Sequence, residues 1–166
     1  MHYQVVMFDW GDTIMKDDPT LKTPMYKWPI VEAVDGAEEV LRTLHPQRTI
    51  VMATSAAQSD EADIRRALER VKLNSYFDHI FCFKNSRFRK PSEDFYRHIV
   101  KSLKVEPSDI LMVGDNFEID VQAANRVGIA AVWFNNRGED EREGDGFRTI
   151  HSLSDLTALL SEDLTK

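Results

Sequence analysis

The sequence predicts a doubly wound, three-layer α/β fold, and three observations carry that expectation. Short apolar runs alternate along the chain with amphipathic stretches of helical spacing. The stretches between successive runs are long enough for crossovers, so the strands can pair in parallel. Several runs end in acids or hydroxyl residues, at the carboxyl edge where open α/β sheets bind their ligands.

The first run, Val5-Val-Met-Phe8, reads as a buried strand that delivers Asp9 to its end, followed closely by Asp12 and Thr13. Residues 16–29 hold Pro19, Pro24 and Pro29, which deny that segment a long regular element. Ile30, Val31, Val34, Val40, Leu41 and Leu44 recur at helical spacing, interrupted at Asp35-Gly36, so a short turn and then a helix are expected over 30–44. Residues 48–55 form a second strand ending in Thr54 and Ser55. Ile64, Leu68 and Val71 mark one face of an amphipathic helix over 58–72.

A third strand is expected over 79–83, then a basic link to Lys90 and a helix capped by Ser92 and running to about Leu103. Residues 109–115 make a fourth strand with Asp115 at its end. A helix over 118–127 stops at Gly128, and residues 129–134 give the fifth strand. Residues 135–146, rich in Gly, Asp, Glu and Asn, read as a surface loop before a closing helix capped by Ser152 or Ser154.

The 166 residues suit one domain, spanning 1–166, with one sizeable core. Hydrophobic residues at 42% and charged residues at 30% give a globular balance rather than a disordered one. The formal charge of −7 argues against nucleic acid as the main partner, because phosphate backbones demand clustered Lys and Arg. No run reaches the ~18 apolar residues of a membrane span, and no leader precedes the first strand, so a soluble cytoplasmic protein is expected. The single cysteine, Cys82, excludes an internal disulfide and reads as a small core residue.

In a parallel sheet the strand ends share one edge, so Asp9, Gly11, Asp12, Thr13, Thr54, Ser55 and Asp115 can converge despite their separation in sequence. Carboxylates held together repel unless a positive charge sits among them, and an oxygen-seeking ion such as Mg²⁺ meets that need. Lys90, in Arg87-Phe-Arg-Lys-Pro91, can bring a further positive charge. Carboxylates, hydroxyls and a lysine around a cation suit a phosphoryl group.

These residues resemble, in order, the motifs of the haloacid dehalogenase (HAD) superfamily of phosphohydrolases. Phe8-Asp9-Trp-Gly-Asp-Thr13 is similar to the first motif, Ile50-Val-Met-Ala-Thr54-Ser55 to the second, Lys90-Pro91 to the third, and Val113-Gly-Asp115-Asn-Phe-Glu-Ile-Asp120 to the fourth. The resemblance implies a Rossmann-like HAD core with a five-stranded parallel sheet. It implies Asp9 as nucleophile through an aspartyl phosphate, Thr54 and Lys90 as donors to the phosphoryl oxygens, and Gly11, Thr54, Ser55 and Lys90 as the substrate-contacting set. Mg²⁺ is expected on Asp9, the carbonyl of Gly11 and Asp115, with Asp120 as a further acid that orients the site. The gaps between motifs hold no large cap domain, which suits a bulky phosphate ester, or a phosphorylated small molecule whose site a neighbouring subunit completes. Oligomeric state stays open.

The chain departs from the family at one position. Phosphatases of this kind carry a second Asp two places after the nucleophile, which protonates the leaving group and then activates water. Here that place is Gly11, with Asp12 one residue later. Asp12, Asp120 or a substrate group are the candidates to replace it. The alternatives to a phosphatase are a catalytically silent phosphate-binding or scaffold protein, and a C–P or C–halogen chemistry on the same nucleophile.

Overall fold

The computed structural model describes residues 3–162. Six parallel strands form one sheet: β1 (Val5–Phe8), β2 (Thr49–Ala53), β3 (His79–Phe81), β4 (Ile110–Gly114), β5 (Ala130–Phe134) and β6 (Phe147–Ile150), in the order β3-β2-β1-β4-β5-β6. The helices are α1 (Ala37–Leu44), α2 (Glu61–Arg70), α3 (Phe83–Ser86), α4 (Glu93–Leu103), α5 (Ala123–Arg126) and α6 (Leu153–Glu162), with a π-helical turn, Phe117–Gln122, leading into α5. Strand order reverses between β1 and β4. That switch point opens a crevice at the carboxyl ends of the strands.

Both faces of the sheet are buried because successive side chains of a strand point to opposite sides. Val6 and Phe8 of β1, Ile50 and Met52 of β2, and Leu111 and Val113 of β4 pack with α1, α2 and α6. Val5 and Met7, Val51 and Ala53, and Ile110 and Met112 pack on the other side with Phe95, Tyr96 and Ile99 of α4 and with Ala123 and Ala124 of α5. The sequence runs look uniformly apolar for this reason, and three layers follow. Register then places the strand ends together, with Phe8 beside Met52 on one side and Val113 on the other.

Two expectations are corrected. The sheet has six strands rather than five, because residues 147–150 pair with β5 in parallel. As an edge strand, Phe-Arg-Thr-Ile is mostly half-buried or exposed, so it lacks the continuous apolar run that marks an inner strand. The third strand stops at Phe81, since Asn85 accepts the Cys82 N–H at 2.9 Å and starts the short α3. Over 30–44 the expected break at Asp35-Gly36 separates a non-helical segment, 30–36, from the helix. Ala33 bridges Met15 in an extended segment, and α1 begins only after Gly36, whose φ of 82° lies in the left-handed region that glycine tolerates.

Other local signals read as the residues suggest. Asp60 and Asp63 form a reciprocal capping box at α2, and Ser92 accepts the Asp94 N–H at α4. Cys82 is fully buried. No cap domain intervenes among the described residues between β1 and α1 or between β2 and α4, and none of their helices is long and apolar enough to cross a membrane. Residues 16–29 lie instead across the sheet edge, tied down by Arg70 of α2, whose guanidinium donates to the carbonyls of Tyr26, Trp28 and Pro29. Trp28 is buried there and donates its indole N–H to Thr23 O at 2.8 Å.

Gly114, the last residue of β4, is a close-approach position. A methyl group on its Cα would lie 2.3 Å from Asp120 Oδ2 and 2.5 Å from Asp120 Cβ. Gly114→Ala is therefore expected to destabilise the fold by ~1–3 kcal/mol through overpacking, read as a lowered urea midpoint with an unchanged m-value.

Candidate active site

The site forms where β1, β2 and β4 end. Asp9 leaves β1 with its N–H still bonded to Val113 O at 2.9 Å, which fixes its backbone against β4. A tight turn follows, with the Ile14 and Met15 N–H groups both directed at Trp10 O. Asp12 takes the left-handed conformation within it, at φ 57°, which Asp adopts more readily than bulkier residues. The turn carries Thr13 inward, where it is fully buried.

Lys90 reaches the same place from the link between α3 and α4. Its backbone N–H donates to Ser55 Oγ at 3.0 Å, so the end of β2 holds it. Its Nζ lies 2.6 Å from Asp9 Oδ1 and 2.7 Å from Asp120 Oδ1, with the lysine side chain 2% exposed, Asp9 14% and Asp120 1%. Asp120 also accepts the Asn116 N–H at 3.1 Å through its other oxygen. Thr13 Oγ1 stands 3.3 Å from Asp9 Oδ2 and 3.4 Å from Asp115 Oδ1, and it accepts the Asp115 N–H at 3.1 Å. Having one hydrogen, the hydroxyl donates to one carboxylate at a time. Thr54 is buried, and its hydroxyl accepts the Ala56 N–H.

Two of the three carboxylates, Asp9 and Asp120, thus hold one ammonium. Burial alone would lower the Lys90 pKa, but the Asp9 and Asp120 charges outweigh it and hold the ammonium above its ordinary range. Burial, then the Asp9 charge and the Asp9 hydrogen bond, push the Asp115 carboxyl up to about 7. Burial likewise lifts Asp120 to about 6, against the lowering pull of Lys90. Asp17 on the rim is also raised, first by partial burial and then by the Asp12 charge.

The donor set fits a hard divalent cation. Asp9, Asp115 and Asp120 each offer a carboxylate oxygen, and these oxygens lie within 4.8 Å of one another. Burial and then the Asp9 charge raise the Asp115 carboxyl, and a cation beside it would favour its charged form. A cavity of about 510 Å³ opens over the cluster, with Trp10, Met25, Trp28, Ala56, Gln58 and Ile119 also in its lining. It can receive a small, doubly charged group against the cluster with an organic body among these residues.

Asp9, Gly11, Asp12, Thr54, Ser55, Lys90, Asp115 and Asp120 all line this cavity. Asp12 is the one turned to another task. One of its oxygens pairs with Arg137, from the loop after β5, and the other accepts the Asp17 N–H at 3.1 Å. The expectation that Asp12 replaces the absent acid at position 11 thus meets a carboxylate already engaged on both oxygens. Sequence reasoning placed Thr13 at the strand end but gave it no part, although a hydroxyl directly after the acids was the available signal. Asp17 and Arg137 carried no such signal, because both lie in aperiodic loops.

The comparisons with known proteins agree with this geometry. Residues 28–128 match the model of the haloacid dehalogenase-like hydrolases, and the chain belongs to that family. Human N-acylneuraminate-9-phosphatase is 32% identical over 103 residues, which cover 61% of this chain and 42% of the human protein. The chain thus aligns with less than half the length of that relative. Among solved structures, a protein of Listeria monocytogenes superposes with a TM-score of 0.82 at 24% identity, covering 96% of this chain and 99% of the other. The HAD-type protein YfnB of Bacillus subtilis, bound to magnesium, superposes at 0.77 with 15% identity, covering 96% and 99%. Those two likenesses speak for the fold.

The electrostatics make a measurable demand. A carboxyl with a raised folded pKa binds its proton more tightly when folded, so its contribution to stability is fully present below 3.8 and is lost as pH rises to about 7. Thermal melts of the metal-free protein should show this loss across that window, and Asp115→Asn should flatten it. A wild type and variant with parallel pH dependence would refute the assignment. Removing the ammonium, as in Lys90→Met, strands two carboxylates and is expected to cost ~3–5 kcal/mol in urea unfolding.

Proposed function

We propose that the protein is a Mg²⁺-dependent phosphohydrolase that cleaves phosphate monoesters through an aspartyl phosphate on Asp9. The observation that carries this reading is the Asp9 carboxylate at the switch point, held by Lys90 at 2.6 Å and faced by Asp115 across Thr13. An acid so held lines the cavity with its charge partly balanced. The phosphatase named among the relatives points the same way.

Asp9, the Gly11 carbonyl and Asp115 would hold the ion, with Asp120 completing the acidic set. When bound, the ion supplies positive charge to the phosphoryl oxygens and lowers the repulsion between phosphate and carboxylate. Asp9 attacks phosphorus, its O–P bond forming as the ester P–O bond breaks, and water later cleaves the aspartyl phosphate to release inorganic phosphate. Thr54 and Lys90 supply donors to the equatorial oxygens as charge develops there. Asp120, with its oxygens on Lys90 and Asn116, holds the lysine against Asp9.

The cavity volume of about 510 Å³ favours a phosphorylated small molecule over a macromolecular ester. N-acylneuraminate 9-phosphate, a sugar-acid monoester named through a relative, is of suitable class, and the apolar surfaces of Trp10, Met25 and Trp28 would pack against its body.

A panel of phosphate monoesters assayed with and without Mg²⁺ tests the reading. Phosphate release should require the ion and fall on the order of 10⁴-fold or more in Asp9→Asn. A labelled aspartyl phosphate should be trapped on the wild type by acid quench. No release from any ester and no trapped intermediate would leave the silent phosphate-binding protein as the correct description.

A further inference from the structure

Position 11 has no side chain, yet the space beside it is filled. A Cβ built on Gly11 would lie 3.3 Å from Asp17 Cβ and 3.4 Å from both Asp17 Cγ and Asp17 Oδ2. The side chain of Asp17 therefore stands directly against the point where a side chain at position 11 would begin. The backbone gives glycine no other reason to be there, since its φ is not among the positive values of Gly36, Gly128 and Gly146.

Three contacts bring the loop back over position 11. Asp12 N–H donates to Met15 O at 2.6 Å and closes the turn. Lys16 N–H donates to Glu32 O at 2.9 Å and anchors the outgoing strand of chain. Asp12 Oδ1 then accepts the Asp17 N–H, while Arg137 holds the other Asp12 oxygen. Asp12 is thus a positioning residue, and Asp17 is what it positions. Asp17 lines the same cavity as Asp9 and Lys90 and stays solvent-exposed, so a leaving group and a water can both reach it.

We propose that Asp17 is the proton-transferring carboxylate of this site, supplied from the 16–29 loop in place of a side chain at position 11, and that alkyl phosphate monoesters are the substrates that require it. The proposal rests on the phosphatase reading above. As the Asp9 O–P bond forms and the ester P–O bond breaks, Asp17 gives its proton to the departing alcohol oxygen. Asp17 carboxylate then takes a proton from the water whose oxygen attacks phosphorus. The Asp9 O–P bond breaks, phosphate leaves, and Asp17 is again an acid. An alkoxide is a poor leaving group without that proton, whereas a nitrophenolate leaves unaided.

The test compares an alkyl phosphate, glycerol 3-phosphate, with p-nitrophenyl phosphate. Asp17→Asn should lower turnover of the alkyl ester by ~10²–10⁴-fold. On the aryl ester its first step should survive, giving a burst of nitrophenol and accumulated aspartyl phosphate as the second step stalls. Asp17→Gly removes every Asp17 atom that crowds position 11. Adding Gly11→Asp to Asp17→Gly should restore alkyl-ester turnover to within ~10-fold of wild type, since the acid is returned at the displaced position. Circular dichroism should be unchanged in Asp17→Asn and in the double variant. A wild type that hydrolyses both esters while Asp17→Asn stays within ~3-fold of it, or loses both equally without a burst, overturns the assignment and leaves the phosphatase reading standing. A wild type that hydrolyses neither overturns both.

Discussion

One ammonium holds this site together. Lys90 Nζ sits between Asp9 and Asp120, within 2.7 Å of each, with its side chain nearly sealed from water. Buried ion pairs rarely add net stability over well-packed apolar groups, because desolvation consumes most of the Coulombic gain. The worth of this one is positional. Without it, Asp9 and Asp120 would repel each other at the switch point. With it, they stay ionisable and aimed at one cavity.

The sheet makes that arrangement possible. Alternation of side chains buries both faces, so β1, β2 and β4 are fixed in register by packing on two sides at once. Their ends are correspondingly rigid platforms for short loops. Thr13 then works as a hinge pin, its single hydroxyl facing Asp9, Asp115 and the Asp115 backbone. Gly114 permits the tightest approach, letting Asp120 lie against the end of β4 where any side chain would collide with it.

The absence of a side chain at position 11 looks like a deficiency when the first turn is considered alone. In the folded protein it lets Asp17 of a neighbouring loop pack close against the turn. Asp12, out of register for chemistry on the reacting group, is in register to hold both that loop and Arg137. The 16–29 segment is no cap domain, yet Arg70 pins it firmly enough for Trp28 and Met25 to wall the cavity. A small loop thus does part of what a larger insertion does elsewhere, shaping the space above the cluster.

How much of this was legible in the sequence follows from the range of each signal. The inner strands, the acids at their ends, Lys90 and the parallel α/β layering were readable, because burial writes a periodic apolar pattern and a strand end is a local feature. The edge strand β6 escaped, since exposure on one side leaves Phe147-Arg-Thr-Ile150 without that pattern. The extended course of residues 30–36 beside Met15 was not legible either, because their apolar spacing is helical while Ala33 bridges Met15. By itself the sequence determined the sheet and the carboxylates it gathers. Only the tertiary structure decided which acids share Lys90, that Asp12 turns to Arg137, and that Asp17 fills the space beside Gly11. Those choices depend on where aperiodic loops come to rest, and loop positions are set by contacts between residues far apart in the chain.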